Sequence, residues 1–230
     1  MNIITYSKKR RISEIYNGPK SDNKKTKNIL TESNIMDILG GGDDDEKESD
    51  KNRKIERDAN HIYFYSEINR VSIYELITLI NEAEEENYIL AFKLKIESIP
   101  IYIHISSFGG SIFDAFTAID VIKSCKSPVY SVLEGANASA STLISVVANK
   151  RFIRPNSYML IHELRSSFWG KYHEITDEVK NLNEIMEKLK DIYKEHTNIQ
   201  KKQLDELLKH DLWLNSDKCL KYGLVDEIWN

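Results

Sequence analysis

The sequence predicts an α/β domain in which a mostly parallel sheet is covered by helices. Three observations lead there. From residue 61 onward, short apolar strand-like runs alternate with segments of helical period. Two of those runs end on residues suited to chemistry, Gly109-Gly110 and His162, as strands of parallel sheets do. A run of small residues, Glu134-Gly-Ala-Asn-Ala-Ser-Ala-Ser-Thr-Leu-Ile-Ser145, begins where a strand stops and continues as an apolar helix, with Ser139 at the junction.

Taken in order, residues 1–58 stand apart. Residues 8–27 are basic, 43–48 acidic, and Gly40-Gly-Gly42 lies between a short apolar turn and the acidic run. This stretch reads as a mobile charged extension, with a short helix at 33–39 that Ser33 can cap, and the folded domain is expected over 59–230. Residues 61–68 read as a strand, and 72–86 carry Ile73, Leu76, Ile77 and Ile80 at helical spacing. Residues 99–106 alternate isoleucine with larger or polar residues, which predicts a second strand, followed by a helix over 111–124 and a strand over 129–133. The Ser139 helix and strands near 151–153 and 158–161 come next. A polar, aromatic stretch at 163–172 leads into a long helix over 174–196, whose Val179, Leu182, Ile185, Met186, Leu189 and Ile192 share one face. A helix at 201–209, a turn at 211–216 and a closing helix and strand over 217–228 complete the chain, with no internal repeat.

Composition narrows the class. At 230 residues with 41% hydrophobic and 30% charged content, one substantial core is expected. No apolar run approaches the roughly 20 residues that cross a bilayer, and Lys8, Lys9, Arg10 and Arg11 are not followed by a signal-peptide apolar stretch. A soluble, unexported, cytoplasmic protein without a membrane partner is therefore expected. Cys125 and Cys219 are too few and too far apart for a disulfide framework or zinc site, which fits a reducing compartment and predicts neither metal nor cofactor. The net charge of −4, with both signs interspersed, gives no reason to expect nucleic acid.

The chemistry-bearing positions gain meaning together. A hydroxyl at the first turn of a helix, as at Ser139, lies near unpaired backbone N–H groups that would stabilise an oxyanion. The same placement describes an ordinary helix cap. Gly109-Gly110 lets backbone approach a ligand closely; His162 closes the apolar strand Tyr158-Met-Leu-Ile161. Asp211 opens the Leu212-Trp213-Leu214 segment, whereas Asp205 and Glu206 share a helix whose apolar face is Leu204, Leu207 and Leu208, and Asp217 and Asp226 belong to later elements. Each has an ordinary structural reading alone; in combination they supply nucleophile, base, orienting carboxylate and oxyanion donors.

Over residues 62–228 the sequence resembles the Clp protease proteolytic subunit family and, within that wider group, the Clp-type head-maturation proteases of tailed phages. The resemblance is carried by Ile105-Ser-Ser-Phe-Gly-Gly110, Gly135-Ala-Asn-Ala-Ser-Ala140, Arg154-Pro-Asn-Ser-Tyr-Met-Leu-Ile-His162 and Tyr222-Gly-Leu-Val-Asp226. It implies a ClpP/crotonase-like repeated ββα superhelix with a projecting handle helix. It also implies Ser139 as nucleophile, His162 as general base, Asp211 as third member, and the backbone amides of Gly110 and Ala140 as oxyanion hole. Polypeptide substrates, a homo-oligomeric ring stacked on a second ring and an ATPase unfoldase partner follow from the same resemblance. Phe108, Ser141, Glu163-Leu164 and His210 depart from the family's proline, glycine, Gln-Pro and arginine. Of the positions that receive ATPase loops, Tyr102 is retained, while His104 and Ser124 match poorly. A non-catalytic ring subunit and an acyl-CoA hydratase or isomerase are the alternatives, although neither needs Ser139, His162 and Asp211 together.

Overall fold

Why the chain folds as it does is clearest from its central strands, whose alternating isoleucines are buried on one face. A computed structural model describes residues 54–230; the helix expected at 33–39 lies outside the described residues. Strands β2 (His61–Tyr65), β3 (Ile101–Ser107), β4 (Val129–Ala138) and β5 (Lys150–Ile153) are parallel neighbours, with β8 (Glu227–Ile228) beside β5. Ile62, Phe64, Ile101, Ile103, Ile105, Val129 and Leu133 are almost wholly buried, as expected for a covered parallel sheet. Strand β1 (Lys54–Asp58) pairs antiparallel with β2 and buries Ile55 opposite Phe64. Residues 54–58, which the sequence reading set before the domain, thus form a strand of this sheet.

Helix α1 (Arg70–Leu94) covers one face. It is eight residues longer at its C-terminal end than the sequence reading, because the buried stripe Ile73, Leu76, Ile80, Ala83 continues through Asn87 and Ala91. Asn69 caps its start by accepting from the Val71 and Ser72 amides, and Lys95, in the left-handed region, ends it. Helix α2 (Ile112–Ser124), capped by Ser111, buries Ala115, Ala118, Ile119 and Ile122. Helix α3 (Ala140–Val146) is wholly buried.

Strand β4 runs five residues past its expected end and serves two partners. Residues Tyr130–Leu133 pair with β5, and Ala136–Ala138 pair with β6 (Tyr158–Leu160), so the sheet forks just before Ser139. The short antiparallel β7 (Leu214–Asn215) closes the β6 branch. Helix α4 (Tyr172–His196) buries only Leu189, Ile192 and Tyr193. Its N-terminal half leaves Tyr172, Ile175 and Val179 exposed, as are Phe168 and Trp169 before it. The element therefore projects, as the sequence implied. Helices α5 (Lys201–Leu208) and α6 (Ser216–Lys221) complete the described fold.

On the other sheet face, rings from β2, β3, β4, β5 and the C-terminal segment gather around a polar core. His61 stacks on Tyr102, and Tyr102, Phe152 and Arg154 face Trp229. Glu134 accepts from His104 Nδ1 at 3.1 Å and Arg154 Nε at 3.2 Å, and also from the Tyr65 hydroxyl. Since His104 Nδ1 donates to the carboxylate, its neutral ring accepts at Nε2 from His61 Nδ1, 2.9 Å away. Burial raises the Glu134 carboxyl, but hydrogen bonds from Tyr65, His104 and Arg154 outweigh it and hold the group below its ordinary range. Burial, then the neighbouring His104, lowers His61.

Candidate active site

Small residues bring four segments to one place. Ser139 follows β4 and precedes α3 with φ 59° and ψ −130°, a region that side-chain-bearing residues rarely enter and that costs about 1–3 kcal/mol. Its neighbours hold it there. The Ser139 amide donates to the Leu160 carbonyl on β6 at 2.9 Å, and its carbonyl accepts from the Thr142 amide at 3.0 Å and the Thr142 hydroxyl at 2.6 Å. Ser141, at the family's glycine position, is buried, and its hydroxyl lies within hydrogen-bonding distance of the Ser107 and Ala138 carbonyls, tying α3 to β3 and β4.

The glycine pair beside it is required by space. A Cβ at Gly109 would lie 2.7 Å from both the Ala138 carbonyl oxygen and Ser139 Cβ, and 3.0 Å from the Ala140 nitrogen. Gly109 also has φ 96°. Ile68 anchors the turn: its amide donates to the Gly109 carbonyl at 2.7 Å, and its carbonyl accepts from the Ser111 amide at 2.8 Å. Gly110 sits opposite Ile68 in a parallel bridge, so close that a Cβ there would overlap the Ile68 carbonyl oxygen. Gly110, Ser139, Ala140 and His162 line one cavity, walled by Phe108, Phe113, Leu164, Leu189 and Tyr193.

His162 follows β6 and is half-buried. Its Nδ1 donates to the Glu163 carbonyl at 2.5 Å, which leaves the Nε2 lone pair available as a base in the neutral ring. The loop after it is fastened to α5 by the Glu163 amide, which donates to the Leu208 carbonyl at 2.9 Å. Ser139, His162, Gly110 and Ala140 thus line one cavity.

Asp211 is placed differently. It lines a second, 300 Å³ cavity together with His162, Glu163 and Arg165, but its carboxylate is taken by the exposed Arg165 guanidinium rather than by the imidazole. Arg165 was not singled out from sequence, because a cation inside a polar stretch carries no signal of which acid it meets. His210, at the family's arginine position, pairs with Glu206 at 3.3 Å. Phe108 meets Trp213 edge to face across 6.3 Å, joining the glycine turn to the Asp211 segment. Thr142 and Tyr193 also escaped the sequence reading, since both simply continue buried helical stripes. Among the described residues no cluster of His, Cys, Asp or Glu could hold a metal ion, and no helix is long and apolar enough to cross a membrane.

Fold and site together define an α/β protein with a parallel sheet and a strand–serine–helix turn facing a histidine at the end of an adjacent strand. The Clp protease family model matches residues 56–230, and the chain belongs to that family. It is 37% identical over 131 residues to the ATP-dependent Clp protease proteolytic subunit 2 of Treponema denticola, covering 56% of this chain and 66% of that protein. A proteolytic subunit from Deinococcus radiodurans is 26% identical over 153 residues, covering 64% and 75%. A solved structure of a ClpP1 point mutant from Listeria monocytogenes superposes with a TM-score of 0.65 at 28% identity, covering 75% of this chain and 92% of that one. The fold is that of ClpP, and membership of the family supports peptidase chemistry.

Proposed function

We propose that this chain is a serine endopeptidase that cleaves polypeptides through an acyl-enzyme formed on Ser139. The observation that carries the proposal is the cavity shared by Ser139, His162, Gly110 and Ala140. His162 Nε2 takes the proton from Ser139 Oγ as that oxygen attacks the scissile carbonyl, and the proton then goes to the departing amine. The Gly110 and Ala140 amides receive the carbonyl oxygen as it becomes negative. Water repeats the sequence on the ester, releasing the acyl product and returning the proton to Ser139. Asp211 is the third member once it leaves Arg165 for His162, a short exchange because both side chains border the same cavity. The working form is a cytoplasmic homo-oligomeric ring supplied with polypeptide by an ATPase unfoldase. That partnership is supported by the family; the retained Tyr102 is the local match, set beside the hydrogen-bonded His104–Glu134–Arg154 core.

A fluorophosphonate probe and peptide hydrolysis test this reading. The wild-type protein should label at Ser139 and cleave peptide and casein. Ser139→Ala should lose both at unchanged solution mass, because the substitution removes a hydroxyl and little buried surface. Loss of a nucleophile costs on the order of 10⁴-fold or more, so near-wild-type hydrolysis by the variant would end the serine-peptidase reading. Absence of labelling in an assembled wild type would favour the non-catalytic ring subunit.

A further inference from the structure

We infer that Tyr193, on the projecting helix α4, is a positioning residue for the oxyanion donor of Ala140, acting through Thr142. The inference rests on the proposed serine chemistry. Three linked observations support it.

Tyr193 is 1% exposed, and its hydroxyl meets Thr142 Oγ1 at 2.6 Å. Thr142 Oγ1 in turn lies 2.6 Å from the Ser139 carbonyl oxygen. The direction of this chain is fixed by chemistry: a carbonyl can only accept, so the single Thr142 proton goes to Ser139, and Thr142 accepts the Tyr193 proton. Burial raises the Tyr193 phenol, outweighing the opposing effect of its hydrogen bond to Thr142; the phenol therefore stays a donor at working pH.

The Ser139 carbonyl belongs to the same rigid peptide plane as the Ala140 N–H, and the two point in opposite directions. Holding the carbonyl therefore aims the amide. Ser139 sits at a backbone angle that its own preferences disfavour, so this plane needs external restraint. The Thr142 amide supplies one restraint at 3.0 Å; the Tyr193–Thr142 relay supplies another, and it originates outside the Ser139 helix. The Tyr193 ring also walls the cavity beside Ser139, so the hydroxyl and the ring have separable roles.

The test compares Tyr193→Phe, Thr142→Val, Thr142→Ser and the Phe/Val double variant in the full chain, reading peptide kcat and KM, fluorophosphonate labelling rate and solution mass. Tyr193→Phe keeps the ring and removes the relay's donor. It should lower kcat and the labelling rate about tenfold with KM and mass unchanged, less than the ~10²–10³-fold cost of losing an oxyanion donor outright. Thr142→Val should match or exceed that loss, Thr142→Ser should restore most of the rate, and the double variant should lose no more than Thr142→Val alone. A merely structural pair would change mass or KM and would not be rescued by serine. Wild-type labelling that persists unchanged in Tyr193→Phe would overturn the inference while leaving Ser139 as nucleophile. Failure of the wild type to label would instead remove the reading on which it rests.

Discussion

Asp211 has two claimants, Arg165, which holds its carboxylate, and His162, which borders the same cavity. An ion pair so open to solvent is weak and screened by salt, so a modest advantage for the imidazole decides the exchange. Arg165→Gln should therefore raise kcat/KM for peptide hydrolysis by about two- to fivefold, measured at low ionic strength, with the gain shrinking as salt is added. Asp211→Asn should lose most turnover at unchanged mass: the Glu163 carbonyl keeps the imidazole tautomer, but it carries no full charge to stabilise the imidazolium. Wild-type turnover in that variant would make the enzyme a Ser–His dyad steadied by a backbone carbonyl. Ser139, His162 and the glycine pair were legible in the sequence because each stands where a strand ends, a position that periodicity locates. The side chain that meets Asp211 was not, since an exposed loop cation leaves no periodic trace.

At the scale of elements, β1 is the first strand among the described residues. Ile55 is buried against the sheet and the strand pairs with β2 along its whole length. A chain starting at Asn60 should unfold below one starting at Lys54 in thermal melts followed by circular dichroism. Burial of one isoleucine stabilises by about 2 kcal/mol, which for a domain of this size is roughly 4–8 °C; equal midpoints would show that β1 contributes nothing. Sequence pattern missed β1 because Lys54-Ile-Glu-Arg-Asp58 has one apolar residue, and an edge strand with one buried side chain leaves almost no alternation to read. The second half of β4 was missed for a related reason. Glu134-Gly-Ala-Asn-Ala138 has poor strand propensity, and its extended form is imposed by pairing with β6. Helix α1, by contrast, was legible in type and start, and only its final turns, carried by Asn87 and Ala91, were cut short.

Over the whole molecule, two faces carry consequences. The exposed Trp169, Tyr172 and Val179 of the projecting region are where the proposed ring would bury apolar surface against a second copy, so Val179→Asp should lower the solution mass measured by light scattering; an unchanged mass would remove Val179 from any such contact. On the aromatic sheet face, His61 and Glu134 both titrate below their ordinary values of 6.5 and 4.5. The unfolded chain therefore binds more protons in those ranges, and stability present at neutral pH is lost as pH falls through the folded values. Thermal midpoints should decline below about pH 6.5 and again below about pH 4.5, with a change in Trp229 emission. Glu134→Gln should flatten the lower limb, and an unaltered limb would remove Glu134 from the account. Mechanically, α4 is a lever whose fulcrum is Tyr193. The arm from Tyr193 to Tyr172 is about 32 Å, so a tilt of about 5° sweeps its far end by about 3 Å while scarcely displacing the hydroxyl at the pivot. A bend of the arm would leave the phenol near its pivot, whereas a twist of the helix about its own axis would swing it off Thr142.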